Sequence, residues 1–548
     1  MSAVPAAGGP QRVVVIGGGI AGLATAALLA HDGHDVHLLE KNEALGGRAG
    51  SWEHDGFRFD TGPSWWLMPE VFDHFFRLVG TTTEAHLDLV RLDPAYRVFF
   101  EGRDDPLDVA TDEEGNRRVF EEVEPGAGQA LAEHLTSARE VYDLAVQHFL
   151  YTSFQNASAL AGRRVLRNGP RLATLLTRSL ESYVAARFED PRLRQVLGYP
   201  AVFLGSSPER APAMYHLMSW LDLSEGVLYP QGGFTRLIDA VASVAADRGA
   251  RLVTGATVTA IETTPRSGRR GPAAVVTGVT YAGRDGSVHT LDADVVVGAA
   301  DLHHVETRLL PEPLQTYPQS WWDRAVSGPG AVLVNLGVRG SLPELAHHSL
   351  FFTADWKTNF DAIFERPTTV PDPASIYVCK PSATDASVAP AGCENLFVLV
   401  PVPADPGIGA GGVDGAGSPQ VEAIADRAIA MVAAWAGVPD LAERVVVRRT
   451  VGPADFVDEY NSWSGGALGP AHVLRQSAFF RAGNSSRKVS GLYYAGYSTV
   501  PGIGLPMCLI SAELVLKRLR GDRSTGPSVE PTPPDPTELS RATASGPG

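Results

Sequence analysis

The chain has 548 residues, 44% of them hydrophobic and 20% charged, with a formal net charge of -16. That length suits roughly three to four domains of ordinary size, and the composition is that of a globular protein. The acidic balance argues against nucleic acid as a partner, which needs clustered Lys and Arg, and leaves only apolar, local contact as a way to meet an anionic membrane.

The chain opens with an Ala/Gly/Pro arm and then a strand, Arg12 to Ile16. A helix follows from Ile20 to Asp32, and a second strand, Val36 to Glu40, completes a βαβ unit. Between them runs Gly17-Gly18-Gly19-Ile20-Ala21-Gly22, which carries G-x-G-x-x-G. Gly17 permits the tight turn, Gly19 lets backbone approach a pyrophosphate, and Gly22 lets the helix pack against the strand. The free N–H groups and dipole of the helix start then favour phosphate. Glu40 lies at the end of the second strand, where a carboxylate suits the ribose hydroxyls of a dinucleotide. Next come Lys41 and the run Gly46-Gly47-Arg48, which adds backbone donors and a guanidinium near the pyrophosphate.

Asp60-Thr61-Gly62-Pro63-Ser64-Trp65-Trp66 reads as a rigid turn whose indoles line a channel or join the core. From His86 to Phe120 the pattern reads as short strands with turns, Tyr96 to Phe100 among them. The acidic runs near Asp112 and Glu121 read as solvated faces. From Gly126 to about Tyr215 apolar residues recur at helical spacing. Gln231-Gly232-Gly233 precedes a helix from Phe234 to Asp247. Strands are then expected at Arg251 to Val258, Ala293 to Val297, Ala331 to Val338, Ser375 to Val378 and Leu396 to Val400, with a basic loop at Pro265 to Pro272. Pro403 to Pro419 reads as a mobile glycine-rich loop. Near the end, the turn from Gly496 through Gly502, Gly504, Pro506 and Met507 leads into a last helix, Pro506 to Arg520. This makes a second helix N-terminus available to a cofactor. The Pro/Ser/Thr-rich stretch from Gly521 onward reads as disordered.

Cys379, Cys393 and Cys508 form neither a disulfide framework nor a zinc pattern, so a reducing cytoplasm is expected. His303-His304 and His347-His348 are adjacent pairs, and neighbours on a strand point to opposite faces, so no metal is expected. The first ten residues lack a signal-peptide pattern. No run reaches the roughly 18 to 20 apolar residues that span a bilayer.

The glycine turn, Glu40 and the second Gly-Gly-Arg together resemble the large family of FAD oxidoreductases that includes amine oxidases, protoporphyrinogen oxidase and carotenoid desaturases. Gly491 to Ser511, Gln476 to Asn484, the blocks at Pro381 to Asp385 and Asn395 to Pro403, and Tyr229 to Gly233 are similar to bacterial phytoene desaturases. The likeness covers about Arg12 to Arg520. Tyr497 departs from it, standing where more distant flavin oxidases place an acid.

The resemblance implies FAD contacts at Gly17, Gly19, Ile20, Ala21, Gly22, Glu40, Lys41, Gly47 and Arg48. It also implies contacts at Gly62, Pro63, Ser64, Val258, Gly496, Gly502, Gly504, Pro506 and Met507. It names no catalytic acid or base. It implies an α/β fold with a Rossmann-like FAD-binding domain from residues 1–90, 229–300 and 455–520. A mixed-sheet substrate domain would come from 91–125 and 301–454, a helical, membrane-facing insertion from 126–228, and a disordered tail from 521–548. The activity implied is stepwise FAD-dependent desaturation of phytoene and partly desaturated carotenes to lycopene, with quinone or oxygen reoxidising the flavin. The place implied is the cytoplasm, peripheral on the inner face of the cell membrane. Other readings are a flavin enzyme acting on another isoprenoid (a C30 desaturase, ketolase or isomerase), a flavin-free prenyl-binding chaperone of the same fold, and an amine oxidase.

Overall fold

A computed structural model describes residues 9–155, 169–266, 271–366 and 368–531. The first eight residues of the arm, part of the helical segment (156–168), part of the basic loop (267–270) and the tail beyond 531 lie outside the described residues.

The apolar run Val13–Ile16 is fully buried, as a central parallel strand covered on both faces requires. It lies in a five-stranded parallel sheet in the order 492–494, 295–298, 12–16, 35–39, 251–253. The helix Ile20–His31 is buried from Ile20 to Ala30. Its Ala-rich sequence lets it pack between the helices Thr235–Asp247 and Leu505–Leu519. A second, smaller sheet pairs Thr257–Pro265, Ala274–Ala282 and Val288–Asp292. The strand expected over Arg251 to Val258 is therefore two. Arg251–Val253 closes the parallel sheet, and Thr257 starts the other one.

The third sheet is mixed and seven-stranded, in the order 445–451, 330–339, 393–402, 376–379, 348–352, 96–100, 107–109. Its pairings are antiparallel except that 348–352 runs parallel to 96–100. Strands from before and after the helical segment thus share one sheet. Between them in the chain come the helices Ala127–Ala145, Gly169–Thr177, Leu180–Ala185, Pro191–Gly198 and Met218–Leu223. Among the described residues no helix is long and apolar enough to cross a membrane.

Three expectations are corrected. Helix begins before Gly126, because Asp112 caps a helix over Glu113–Val123 by accepting from Gly115 N–H at 2.7 Å. The acidic run near Asp112 is therefore a helix start as well as a solvated face. The Pro403–Pro419 loop is pinned: Gly411 N–H donates to Asp455, Gly412 N–H to Thr450 Oγ1, and Val413 bridges Arg449. The chain from Gly521 to Pro531, expected to be disordered, lies along the last helix. There Lys517 Nζ donates to the carbonyls of Ser524 and Gly526, and Glu530 meets His74 Nδ1 at 2.9 Å.

Candidate active site

Two helix starts open on one space. Ile20–His31 begins at Gly19, and Leu505–Leu519 begins at Gly504, directly after the Gly496–Gly504 turn. Between and beyond them lies a cavity of about 550 Å³. One part is walled by glycine turns and polar groups. The other is walled by aromatic and aliphatic side chains from the helical segment and the seven-stranded sheet.

In the polar part the cavity is lined by Gly17, Gly19, Ile20, Ala21, Glu40, Lys41, Gly47 and Arg48. Gly62, Pro63, Ser64, Val258, Gly496, Gly504, Pro506 and Met507 line it too. Most of the expected cofactor residues are thus together in space. Two are not on the wall. A Cβ on Gly22 would sit 1.9 Å from the Gly17 carbonyl oxygen, so Gly22 is pressed against the turn. A Cβ on Gly502 would sit 2.3 Å from the His472 ring, so this glycine lets the second turn pass that ring.

Glu40 ties the first turn to the second strand. Its Oε2 accepts from Gly18 N–H at 2.6 Å and its Oε1 from Asn42 N–H at 2.8 Å, leaving further lone pairs for hydroxyl groups. Lys41 Nζ donates to the Asp458 carbonyl at 2.6 Å. The Arg48 guanidinium lies over the Tyr497 ring at 4.4 Å and donates to Ser462 Oγ at 3.0 Å.

Two observations test the fit to a dinucleotide. A Cβ built on Gly19 meets nothing nearer than the Gly46 oxygen at 3.9 Å, so the start of the first helix faces open space. Arg48 Nε is buried and has no partner within the protein. A donor-lined space at a helix N-terminus fits a pyrophosphate, and the polar part fits FAD.

Tyr497, the departure from more distant flavin oxidases, lines the cavity. Its hydroxyl donates to Asp301, which also lines the cavity and caps the helix Leu302–Arg308. Cys508 lies in the first turn of the last helix, and burial pushes its thiol up to about 12, so it stays protonated.

In the apolar part, Trp65 is a wall residue and Trp66 is not. Trp66 is fully buried and stacks on Phe72 at 4.0 Å. Trp65 lies flat on His348, with ring centroids 4.5 Å apart, and near Phe203 and Tyr377, which also line the cavity. Phe149, Leu172, Leu176 and Met214 come from the helical segment, and Leu333 and Leu399 from the sheet. Phe154 and Phe479 line the cavity too, with ring centroids 6.4 Å apart. Phe479 and its neighbour Phe480 are 48% and 54% exposed.

The His347–His348 pair does not split across a strand as expected. His347 precedes the strand His348–Phe352, and the two rings lie 4.6 Å apart. One atom from each ring and the Cys379 sulfur fall within 4.8 Å of one another, with no carboxylate in the group. Burial holds both imidazoles neutral by lowering them and keeps the thiol protonated by raising it. The group is a neutral cluster behind the cavity wall. Nothing in the sequence suggested it.

A family model described as flavin containing amine oxidoreductase matches residues 20–515. A carotenoid 3,4-desaturase of Haloarcula japonica is 41% identical over 93% of this chain and 98% of its own. A zeta-carotene-forming phytoene desaturase of Myxococcus xanthus is 36% identical over 93% and 94%. A 4,4'-diapophytoene desaturase of Staphylococcus haemolyticus is 30% identical over 94% and 100%. Among solved structures, an oxidoreductase from Methanosarcina mazei superposes with a TM-score of 0.56 at 17% identity, over 92% of this chain and 100% of that one. A cyclohexylamine oxidase from Brevibacterium oxydans gives 0.55 at 14%, over 94% and 99%, which shows the shared fold.

Proposed function

The chain belongs to the flavin-containing amine oxidoreductases, among the bacterial-type carotenoid desaturases, and we propose that it desaturates phytoene stepwise to lycopene with FAD as the immediate electron acceptor. The observation that carries this reading is the continuity of one cavity, from the glycine turns at Gly17–Gly19 and Gly496–Gly504 into a wall of Trp65, Phe203, Leu172 and Leu399. A long apolar hydrocarbon fits such a wall, and a small amine has no use for it.

Bound FAD supplies a two-electron hydride acceptor. The chain's own residues do the rest. The starts of the two helices and Arg48 take the pyrophosphate, and Glu40 takes ribose hydroxyls. The aliphatic side chains hold the polyene in place and keep water away from it. Positive charge developing along the polyene meets the ring faces of Trp65 and Tyr377, which attract cations.

The hydrocarbon is insoluble in water, so we place its access route at a membrane surface, on the cytoplasmic side. Phe154 and Phe479 line the cavity, and exposed Phe479 and Phe480 offer the local apolar contact that a negatively charged protein needs. Quinone or oxygen would take the electrons on from bound FAD. A second reading, 3,4-desaturation of a carotenoid, is favoured by the 41% identical relative bearing that name. Expression in phytoene-producing cells followed by pigment analysis separates them. Lycopene supports the first reading. Unchanged phytoene alongside folded, FAD-loaded protein removes it.

A further inference from the structure

Two tyrosine–histidine pairs open onto the apolar part of the cavity, and they differ in which way a proton can move. In the first, Tyr215 Oη lies 2.8 Å from His472 Nδ1. His472 Nε2 accepts from the backbone N–H of Ile503 at 3.3 Å. In a neutral ring Nδ1 must then carry the proton and donate to Tyr215. His472 has no lone pair to offer Tyr215. The buried Arg481 beside it further disfavours a second positive charge there.

In the second pair, Ser64 Oγ lies 2.7 Å from Tyr377 Oη, which lies 2.8 Å from His348 Nδ1. Ser64 and Tyr377 line the cavity, and His348 is fully buried behind them. His348 Nε2 has no partner, and neither does His347 Nε2. His347 Nδ1 meets Thr384 Oγ1 at 2.8 Å, and Thr384 is half-buried. No backbone donor occupies either ring nitrogen of His348, so His348 is open to the tautomer that His472 is denied. With its proton on Nε2, His348 offers Nδ1 as acceptor to the Tyr377 hydroxyl. The hydrogen-bonded route runs from the cavity through Tyr377 to His348, whose ring packs against His347 at 4.6 Å.

We propose that Tyr377 takes the proton released in the desaturation and that His348 draws Tyr377's own proton away. The proposal rests on the carotenoid-desaturase reading. Hydride leaves one carbon for the flavin, and the neighbouring C–H bond then breaks. Its electron pair becomes the new π bond, and its proton goes to Tyr377 Oη. The phenolic proton moves at the same time to His348 Nδ1. An allylic cation is a far stronger acid than an imidazolium, so a buried, weakly basic ring suffices to receive the proton and releases it readily. Tyr377 touches the substrate space and is the catalytic group. His348 acts through it and is a positioning residue.

The test uses the FAD-loaded full chain, kept anaerobic, with phytoene in phosphatidylcholine vesicles. Flavin bleaching is followed with phytoene deuterated either at the hydride-losing or at the proton-losing carbon. Tyr377→Phe and His348→Gln should slow bleaching by about 100-fold or more, the usual contribution of a positioned acid–base group. Each should also raise the isotope effect from the proton-losing carbon. Flavin content of the purified variants shows whether each still loads FAD, and if one does not, the other decides. Tyr215→Phe should cost less than about 10-fold and leave that isotope effect unchanged. Variants that load FAD and bleach at the wild-type rate, or with an unchanged isotope effect, overturn the relay. A loaded wild-type protein that no carotene bleaches overturns the underlying reading instead.

Discussion

Gly19 and Gly22 stand three residues apart in one motif, and the structure gives them separable tasks. A Cβ on Gly22 would meet the Gly17 carbonyl oxygen at 1.9 Å. Ordinary contact needs more than 3 Å, so Gly22→Ala must move the first helix away from the turn by over an ångström. That is an overpacked core, costing about 1–3 kcal/mol or more. A Cβ on Gly19 meets nothing nearer than 3.9 Å. Gly19→Ala should leave the apoprotein as stable as wild type. Its methyl group projects into the space assigned to the pyrophosphate, where a lost contact of about 1.4–2.8 kcal/mol weakens FAD binding by about 10- to 100-fold. The assay is a thermal melt of both apoproteins with a fluorescence titration of FAD. The reasoning fails if Gly19→Ala binds FAD as tightly as wild type, or if it destabilises the apoprotein as much as Gly22→Ala does.

Asp222 is fully buried, accepting from Tyr96 at 2.9 Å and Tyr199 at 3.0 Å through one oxygen while the other has no partner. Burial raises it to about 7, so the native state keeps a proton that the unfolded chain releases near 3.8. This stabilising contribution is complete below pH 3.8 and lost as pH rises through about 7, roughly 4 kcal/mol in all. Asp222→Asn should flatten the stability slope across that window, and an unchanged slope in denaturant titrations contradicts it. The double variant Phe479→Glu/Phe480→Glu should weaken binding to phosphatidylcholine vesicles at least about tenfold, measured by flotation, since each buried Phe is worth about 1.5–3 kcal/mol. Equal binding moves the membrane contact elsewhere. The His347–His348–Cys379 cluster is neutral, so treatment with a chelator should leave flavin bleaching unchanged, and loss of bleaching would make it a metal centre.

The polar part of the cavity was legible because its residues lie in unbroken runs. Gly17–Gly22, Glu40–Arg48 and Gly496–Met507 each carry turn glycines at a strand end, and the parallel sheet in the order 492–494, 295–298, 12–16, 35–39 brings them to one place. Of the apolar part, Trp65 was legible and the proton-bearing groups beside it were not. Ser64, Tyr377 and His348 come from three separate segments; a strand pairing joins the last two, and a side-chain hydrogen bond at 2.7 Å joins Ser64 to Tyr377. Strand alternation misjudged the histidine pair because His347 lies outside the strand. The helix Glu113–Val123 was hidden by its charge, since only Asn116 and Phe120 are buried within it. The order of residues 521–531 depends on Lys517 and His74, whose partners no local pattern announces.

The central claim is that this chain passes electrons from a carotene to bound flavin. Anaerobic mixing of the FAD-loaded protein with phytoene in vesicles tests it most directly. The account predicts loss of the flavin absorbance together with the appearance of a longer conjugated polyene. Flavin that stays oxidised in folded, loaded protein, with phytoene and every other carotene offered, contradicts it.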